Sequence, residues 1–200
     1  MPRKNLRELC GKPLIWWTID AAQKSGIDFV VSTDDDEIAG VAKSYGAKVL
    51  QCAPGGRLHS DECTSGEVLI DAMERMPEYD AVVCLHPTSP IRDPAHIKQA
   101  IDLLRLGLPV ASVKEIRRKS HPPVYEHNWA GGYMESLYGR HFVLNASIYA
   151  MKRDQLLKTR SHTHDICMPL IMDGAHSVDI DTEEDFALAE FYLRQRMAIS

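Results

Sequence analysis

The sequence predicts an α/β fold: a mostly parallel sheet with helices on both faces. Two observations carry that reading. Short strand-like runs alternate with helical patterns of about 10–15 residues, the rhythm of successive strand–helix units. The most apolar run, "DAVVCLH" at residues 80–86, is uniformly apolar rather than alternating, as a strand covered on both faces should be.

In chain order, Pro13 suits a first helical turn, and Leu14, Ile15, Trp17, Thr18, Ala21 and Ala22 recur at helical spacing until Gly26 supplies a stop. "DFVVST" follows as a strand. Thr33 or Asp34 is then expected to cap the helix in "DDDEIAGVAKSYG", whose acids from Asp34 to Glu37 complement the helix dipole and which Gly46 ends. "AKVLQ" is a second strand, and the loop "APGGRLHSD" leads to a helix from Thr64 to Met76. After "DAVVCLH" come a helix in "DPAHIKQAIDLLRLG", with Pro94 near its start, and a strand in "PVASVKEI".

The pattern changes near residue 115. "VYEHNWAGGYMES" reads as a hairpin around Gly131-Gly132 and "NASIYAMK" as a further strand. "ICMPLIM" and "HSVDI" read as extended, and a closing helix runs from Thr182 to Met197. Residues 1–200 are thus expected to form one domain, with a small element inserted at approximately residues 115–145.

Composition narrows the function. The chain has 200 residues, 44% of them hydrophobic, and a formal net charge of -5, which leaves no basic footprint for a nucleic acid. Small anionic substrates remain open, because local cationic clusters can sit inside an acidic protein. The five cysteines (Cys10, Cys52, Cys63, Cys84 and Cys167) include no C-x-x-C pair, so they read as small buried hydrophobes in a reducing cytosol. No apolar run approaches membrane-spanning length, and a cytoplasmic protein with no membrane partner is expected.

Three places can carry chemistry. The first is "LHPTSPIR", beyond the carboxyl end of the central-looking strand, where open α/β sheets bind ligands. Pro87 and Pro90 stiffen it, Thr88 and Ser89 offer hydroxyls, and Arg92 can hold an anion bidentately; a rigid turn bearing a surface arginine is the plainer reading. The second is "VDIDTEEDF". Asp179 and Asp181 flank one residue, so in an extended segment both carboxylates face one side, as Mg²⁺ bound with substrate phosphates requires. Thr182 and Asp185 also form a helix capping box, and the two readings can coexist. The third is the opening, where Arg3, Lys4 and Asn5 can embrace a triphosphate or be a frayed basic terminus. His162, His164, Asp165 and Cys167 fit no zinc spacing and read as a solvated loop, and Arg117-Arg118-Lys119 as a solvated cluster.

Five segments in register, "PRKNLRELCGKPLIWWTIDAAQKSG", "VVSTDDDEIAGVAKSYGAKV", "HPTSPIRDPAHI", "NASIYAMKRDQLL" and "VDIDTEEDFALAE", resemble the acylneuraminate cytidylyltransferases, or CMP-sialic acid synthetases, over nearly the whole chain. The resemblance implies a Rossmann-like nucleotidyltransferase fold, usually a homodimer, whose inserted element helps bind sugar across the dimer. It implies transfer of a cytidylyl group from CTP to the anomeric hydroxyl of a nonulosonic acid, with Mg²⁺ as cofactor. Carried over by motif, Lys4 and Asn5 contact the nucleotide, Pro87, Thr88, Ser89 and Pro90 line the cytidine pocket, and Asp179 and Asp181 hold the metal and are catalytic. Relatives acting on 3-deoxy-manno-octulosonate carry Gly-Asp-Glu-Pro after the same strand, so "HPTSP" points to the sialic-type branch.

The chain departs from the family in places. His86 stands where Gln is usual, and Pro54-Gly55 where Arg-Pro often precedes "LA-x-D"; Asp61 matches, and Arg57 is displaced. Before Pro2 the family carries an apolar strand and a phosphate-wrapping loop. The sequence therefore leads us to expect a cleft or unpaired strand edges where that strand would lie. It also leaves open a catalytically disabled homologue that acts as a binding or regulatory module.

Overall fold

A computed structural model describes residues 3–51, 63–116, 133–135, 141–164 and 166–199. Cys52, Arg57, Asp61, the Arg117-Arg118-Lys119 triplet and the Gly131-Gly132 turn lie outside the described residues, as does most of the inserted element.

The chain opens with a 3-10 turn, Lys4–Leu6, and a tight hairpin of β1 (Glu8–Leu9) and β2 (Lys12–Pro13). Its two loop residues, Cys10 and Gly11, have φ of 51° and 78°, the left-handed pair that a two-residue hairpin needs. Then α1 (Leu14–Ser25) ends at Gly26, whose φ of 74° makes it the left-handed cap foreseen. The expected alternation follows in β3 (Val30–Thr33), α2 (Asp36–Ser44), β4 (Lys48–Gln51), α3 (Ser65–Arg75), β5 (Ala81–Leu85), α4 (Pro94–Leu104) and β6 (Val110–Ile116). The remainder is β7 (Tyr133–Glu135), β8 (His141–Lys152), α5 (Arg153–Thr159), β9 (Met168–Met172) and α6 (Glu183–Ile199).

Four details differ from the sequence reading. Asp35 caps α2, accepting the N–H groups of Glu37 and Ile38 at 2.8 and 2.9 Å, while Thr33 Oγ1 accepts the N–H of Asp35. Helix α5 was not foreseen, because its seven residues bury only Leu156 and show no period to read. "HSVDI" is no strand. Asp173 Oδ1 accepts the His176 N–H at 2.9 Å and closes a 3-10 turn, Ala175–Ser177, after which Val178 and Ile180 are buried in a stretch that joins no sheet.

The fourth difference is strand direction. β3–β4 and β6–β9 are parallel, but β8 runs antiparallel to β5, β6 and β7. Its pairing with β7 is a hairpin-type return, and a strand entered that way must reverse. The α/β fold is therefore mixed rather than mostly parallel. β8 also bulges opposite Ser112, where Ala146 takes a φ of 56°. Buried polar groups fill the bulge: Ser112 Oγ donates to Asn145 Oδ1 at 2.5 Å and accepts the Ile148 N–H at 2.7 Å, and Asn145 Nδ2 donates to Ser177 Oγ at 2.9 Å.

Helices cover both faces of this sheet, as expected. Val110, Ile148, Ala150, Leu170 and Met172 pack with Ala21, Ile97 and Ala100 of α1 and α4. The intervening Ala111, Tyr149 and Met151 pack with Leu69, Ile70, Met73 and Leu156 of α3 and α5, the two-residue alternation of a strand. A third cluster joins the N-terminal Leu9 and Leu14 to Ile91, Ile180, Phe186 and Leu193. β3 and β4 rest on α1 and α2 through Ile15, Ile19, Ala42 and Val31.

Pairing is not continuous across the molecule. The order β5-β8-β6-β9 forms one sheet and β3-β4 another, so among the described residues β3 and β5 each pair along a single edge. Every residue of β3 and β5 is half-buried, whereas Val110 to Val113 of β6 are buried. β5, though uniformly apolar, is thus paired along one edge only among the described residues. In hydrogen–deuterium exchange, the amides of Val30–Thr33 and Ala81–Leu85 are expected to exchange faster than those of β6, since half of them lack a ladder partner. Equal protection of β5 and β6 contradicts the open edge.

Candidate active site

The loop after β5 turns sharply, with the Ser89 N–H donating to the His86 carbonyl at 3.2 Å. Ser89 is 1% exposed and Pro90 is buried, so the second half of the loop is packed into the core while Pro87 and Thr88 are half-buried. It meets the Asp-x-Asp segment directly. The Thr88 carbonyl accepts the Ile180 N–H at 2.8 Å, and Ser89 Oγ donates to Asp179 Oδ1 at 3.4 Å. Two motifs 90 residues apart in sequence are thereby locked side by side at the strand ends.

The opening segment reaches the same place. Lys4 Nζ donates to the Ile180 carbonyl and lies 3.2 Å from Asp181 Oδ1. The Arg7 guanidinium bonds both oxygens of Glu183 at 2.6 Å and lies 4.0 Å above the Phe186 ring. With Leu9 buried beside Ile180 and Phe186, this terminus is anchored and not frayed. Asn5 sits half-buried in the 3-10 turn beside Lys4. The capping box is present as well: Asp185 Oδ2 accepts the Thr182 N–H at 2.9 Å and the Thr182 hydroxyl at 2.8 Å. These bonds hold the Asp185 carboxyl below its usual value.

Asp179 and Asp181 supply only hard carboxylate oxygens, the donor type Mg²⁺ prefers. The Asp181 side chain is 76% exposed, which leaves room for phosphate oxygens and water, and the Lys4 ammonium already shows that it takes a cation. The residues fit the ion that the sequence led us to expect.

Arg92 does not fit its sequence role. It is 3% exposed, with Nη2 donating to the Ser147 carbonyl at 2.5 Å and the His86 carbonyl at 3.1 Å, Nε to Ser147 Oγ and Nη1 to Thr18 Oγ1. A guanidinium so committed braces the loop from beneath and offers nothing to a ligand. Burial lowers its pKa to about 10, which still leaves it cationic at neutral pH.

Sequence reasoning missed the wall beside Asp179. His86, Tyr149 and His162 meet in series, the first pair tilted and the second edge-on, with ring centroids 5.9 and 5.2 Å apart. Burial lowers the pKa of His86 against the pull of Asp179, and it lifts the Tyr149 phenol to about 12. Both rings are therefore neutral near pH 7. His162 is half-buried and its pKa is lowered mainly by burial, and among the described residues of "HTHDIC" only Ile166 is the exposed residue that a solvated loop leads one to expect. The only advance signal was His86 in a place where the family has Gln.

Carboxylates and a lysine gathered at the strand ends of an α/β sheet suit the handling of a nucleotide's phosphates, and the overall fold is that of a nucleotidyltransferase. It superposes with a TM-score of 0.72 on the structure of a CMP:2-keto-3-deoxy-manno-octonic acid synthetase complexed with CTP, covering 98% of this chain and 93% of that one at 15% identity, a likeness of fold. Residues 1–128 match the family model described as Cytidylyltransferase. The sequence is 33% identical to the CMP-N,N'-diacetyllegionaminic acid synthase of Legionella pneumophila, over 95% of this chain and 89% of that protein. It is 30% identical to the N-acylneuraminate cytidylyltransferase of Escherichia coli over 93% of this chain, which spans about half (47%) of that longer protein. The chain belongs to the cytidylyltransferase family and, within it, is a nucleotidyltransferase of the acylneuraminate cytidylyltransferase type.

Proposed function

We propose that this protein transfers the cytidylyl group of CTP to a nonulosonic, sialic-type acid. The sugar's anomeric hydroxyl loses its proton and its oxygen bonds to the α-phosphorus, while the bond to the bridging oxygen breaks and pyrophosphate leaves. The observation that carries this reading is the junction of Thr88 and Ser89 with Asp179 and Ile180, closed by Lys4 on Asp181. It puts a rigid, neutral loop suited to a base beside the anionic and cationic groups that a triphosphate requires. Asp179 and Asp181 are the residues that would hold Mg²⁺, which when bound neutralises phosphate charge and can acidify the attacking hydroxyl.

The protein's own groups supply the rest. Lys4 presents one ammonium beside Asp181, and Asn5 flanks it as a neutral donor for the nucleotide. Pro87 and Pro90 fix the loop that lines the cytidine pocket, and the neutral His86–Tyr149 wall adds no charge of its own beside Asp179. In this reading the element at residues 115–145 takes the sugar and joins two copies in a homodimer. No helix among the described residues is long and apolar enough to cross a membrane.

Pyrophosphate release measured with CTP, Mg²⁺ and a panel of nonulosonic acids tests the proposal. Release that depends on both CTP and one such acid supports it. Tight CTP binding with no release for any acid replaces it with a binding or regulatory module.

A further inference from the structure

A second cluster lies apart from the Lys4–Asp181 junction. Asp93 precedes α4, His96 sits in the first turn of that helix, and His176 belongs to the 3-10 turn just ahead of Asp179. One ligating atom from each falls within 4.8 Å of the others, and all three residues are half-buried. Nothing in the sequence joins position 176 to positions 93 and 96; the fold does.

The orientation of His176 is the informative part. Its Nδ1 lies 2.8 Å from Asp173 Oδ1, an oxygen that also accepts the His176 backbone N–H at 2.9 Å. A carboxylate behind Nδ1 takes that proton and aims the lone pair of Nε2 forward, the outer-shell arrangement found behind metal-ligating histidines. Nε2 then faces Asp93 Oδ2 at 3.0 Å. A nitrogen lone pair and an anionic oxygen rest at that distance with something positive beside or between them: a proton, a metal ion, or the Arg196 guanidinium that lies 3.5 Å from Nε2. The His96 ring meets His176 edge-on with centroids 4.9 Å apart, and its one helix-capping bond, from the Asp93 N–H, is long at 3.3 Å and cheap to give up.

We propose that Asp93, His96 and His176 form a binding site for a borderline divalent metal such as Zn²⁺, with Asp173 positioning His176. Two imidazole nitrogens and one carboxylate favour Zn²⁺, Co²⁺, Ni²⁺ or Cu²⁺ over Mg²⁺, which separates this site in kind from the oxygen-only pair Asp179 and Asp181. Three protein ligands leave the fourth tetrahedral position to water. Arg196 is the competitor. Its guanidinium bonds Asp93 Oδ1 and lies 3.5 Å from His176 Nε2, but its side chain is on the surface and can swing into solvent. An ion in its place ties the start of α4 to the turn that leads into Asp179.

Competition with Arg196 predicts two changes of opposite sign. Untagged protein is stripped with a chelator, saturated with Mg²⁺ to mask Asp179 and Asp181, and titrated calorimetrically with Zn²⁺. Wild type is expected to take up Zn²⁺ at this site; His96→Gln and His176→Gln should each weaken that uptake about tenfold or more, and Asp173→Asn by about 10–100-fold. Arg196→Gln should tighten it. Bound Co²⁺ should show the visible absorption of nitrogen ligation in wild type and lose it in the double histidine variant. Zn²⁺ uptake unchanged in the double variant overturns the proposal, since binding then lies elsewhere, for example at His162, His164 and Cys167. So does an Arg196→Gln protein whose affinity is unchanged or weaker, and this variant remains decisive should either histidine change unfold the chain.

Discussion

Replacing Asp181 or Asp179 by Asn is expected to lower turnover by about 10²-fold or more while CTP affinity falls by much less. Asn keeps the shape of the side chain but removes one anionic oxygen ligand and one negative charge. Metal-assisted charge stabilisation is worth several kcal/mol in the transition state, and each 1.36 kcal/mol is a factor of ten. Only interactions that strengthen as charge develops on the phosphates raise the rate, so a metal-holding residue should show in kcat more than in binding. The neighbouring contacts support that separation. Asn at 179 can still accept the Ser89 hydroxyl, so the loop proposed to line the cytidine pocket stays in place. Lys4 keeps the Ile180 carbonyl when Asp181 becomes neutral, and its charge is then free for the nucleotide. The Asp185 capping bonds use the backbone N–H groups of Asp181 and Thr182, which neither substitution touches. Steady-state pyrophosphate release and equilibrium CTP binding, measured on both variants, decide the matter. Equal losses in the two quantities sink the metal-holding assignment.

How far the site was legible depended on how local each signal was. The loop at residues 87–90 and the Asp-x-Asp segment were read from neighbouring residues, because proline spacing and alternation along an extended stretch are written within a few positions. Lys4 could be suspected as a cation, but that it lies on Asp181, across 177 positions, follows only from the packing of Leu9 and Leu14 against α6. Tyr149 and His162 were invisible for a related reason. Each looks like an ordinary strand or loop residue until β8 and the segment after α5 bring them beside His86.

The elements follow the same rule. Gly26 ends α1, Pro94 starts α4 and Thr64 caps α3, because caps and breakers act locally. The direction of β8 is a property of its connection, and its residues alternate in the same way whichever way the chain enters the sheet. Even the open edges of β3 and β5 were foreseen only through the family resemblance, since neither strand's own residues record how many partners it has.

Arg92 carries the second large effect: Arg92→Ala is expected to cost about 2–5 kcal/mol of stability, from buried acceptors that lose their donor and a long side chain lost from the interior. The sequence leaves it either to hold an anion or to be a surface arginine on a rigid turn; the structure gives every donor it uses to the protein. Thr18 and Ser147, its partners on α1 and β8, stand 74 and 55 positions away, so no local pattern announces that this arginine is interior. Truncation takes the guanidinium from the buried Ser147 carbonyl, at about 1–3 kcal/mol if that group is left unsatisfied, while the His86 carbonyl keeps the Ser89 N–H. It also opens a cavity between α1, β8 and the loop. Relief of the guanidinium's desolvation offsets part of that loss, which keeps the net below the sum. Lys should rescue only partly, because one ammonium cannot reproduce a fork that reaches carbonyls within β8 and just after β5. For a domain whose whole stability is about 5–15 kcal/mol, the change is large. Urea unfolding should show a lower midpoint with an unchanged m-value, and CTP affinity measured on the folded protein should move little. An unaltered midpoint together with lost CTP affinity would instead return Arg92 to the anion-binding role that its loop suggested.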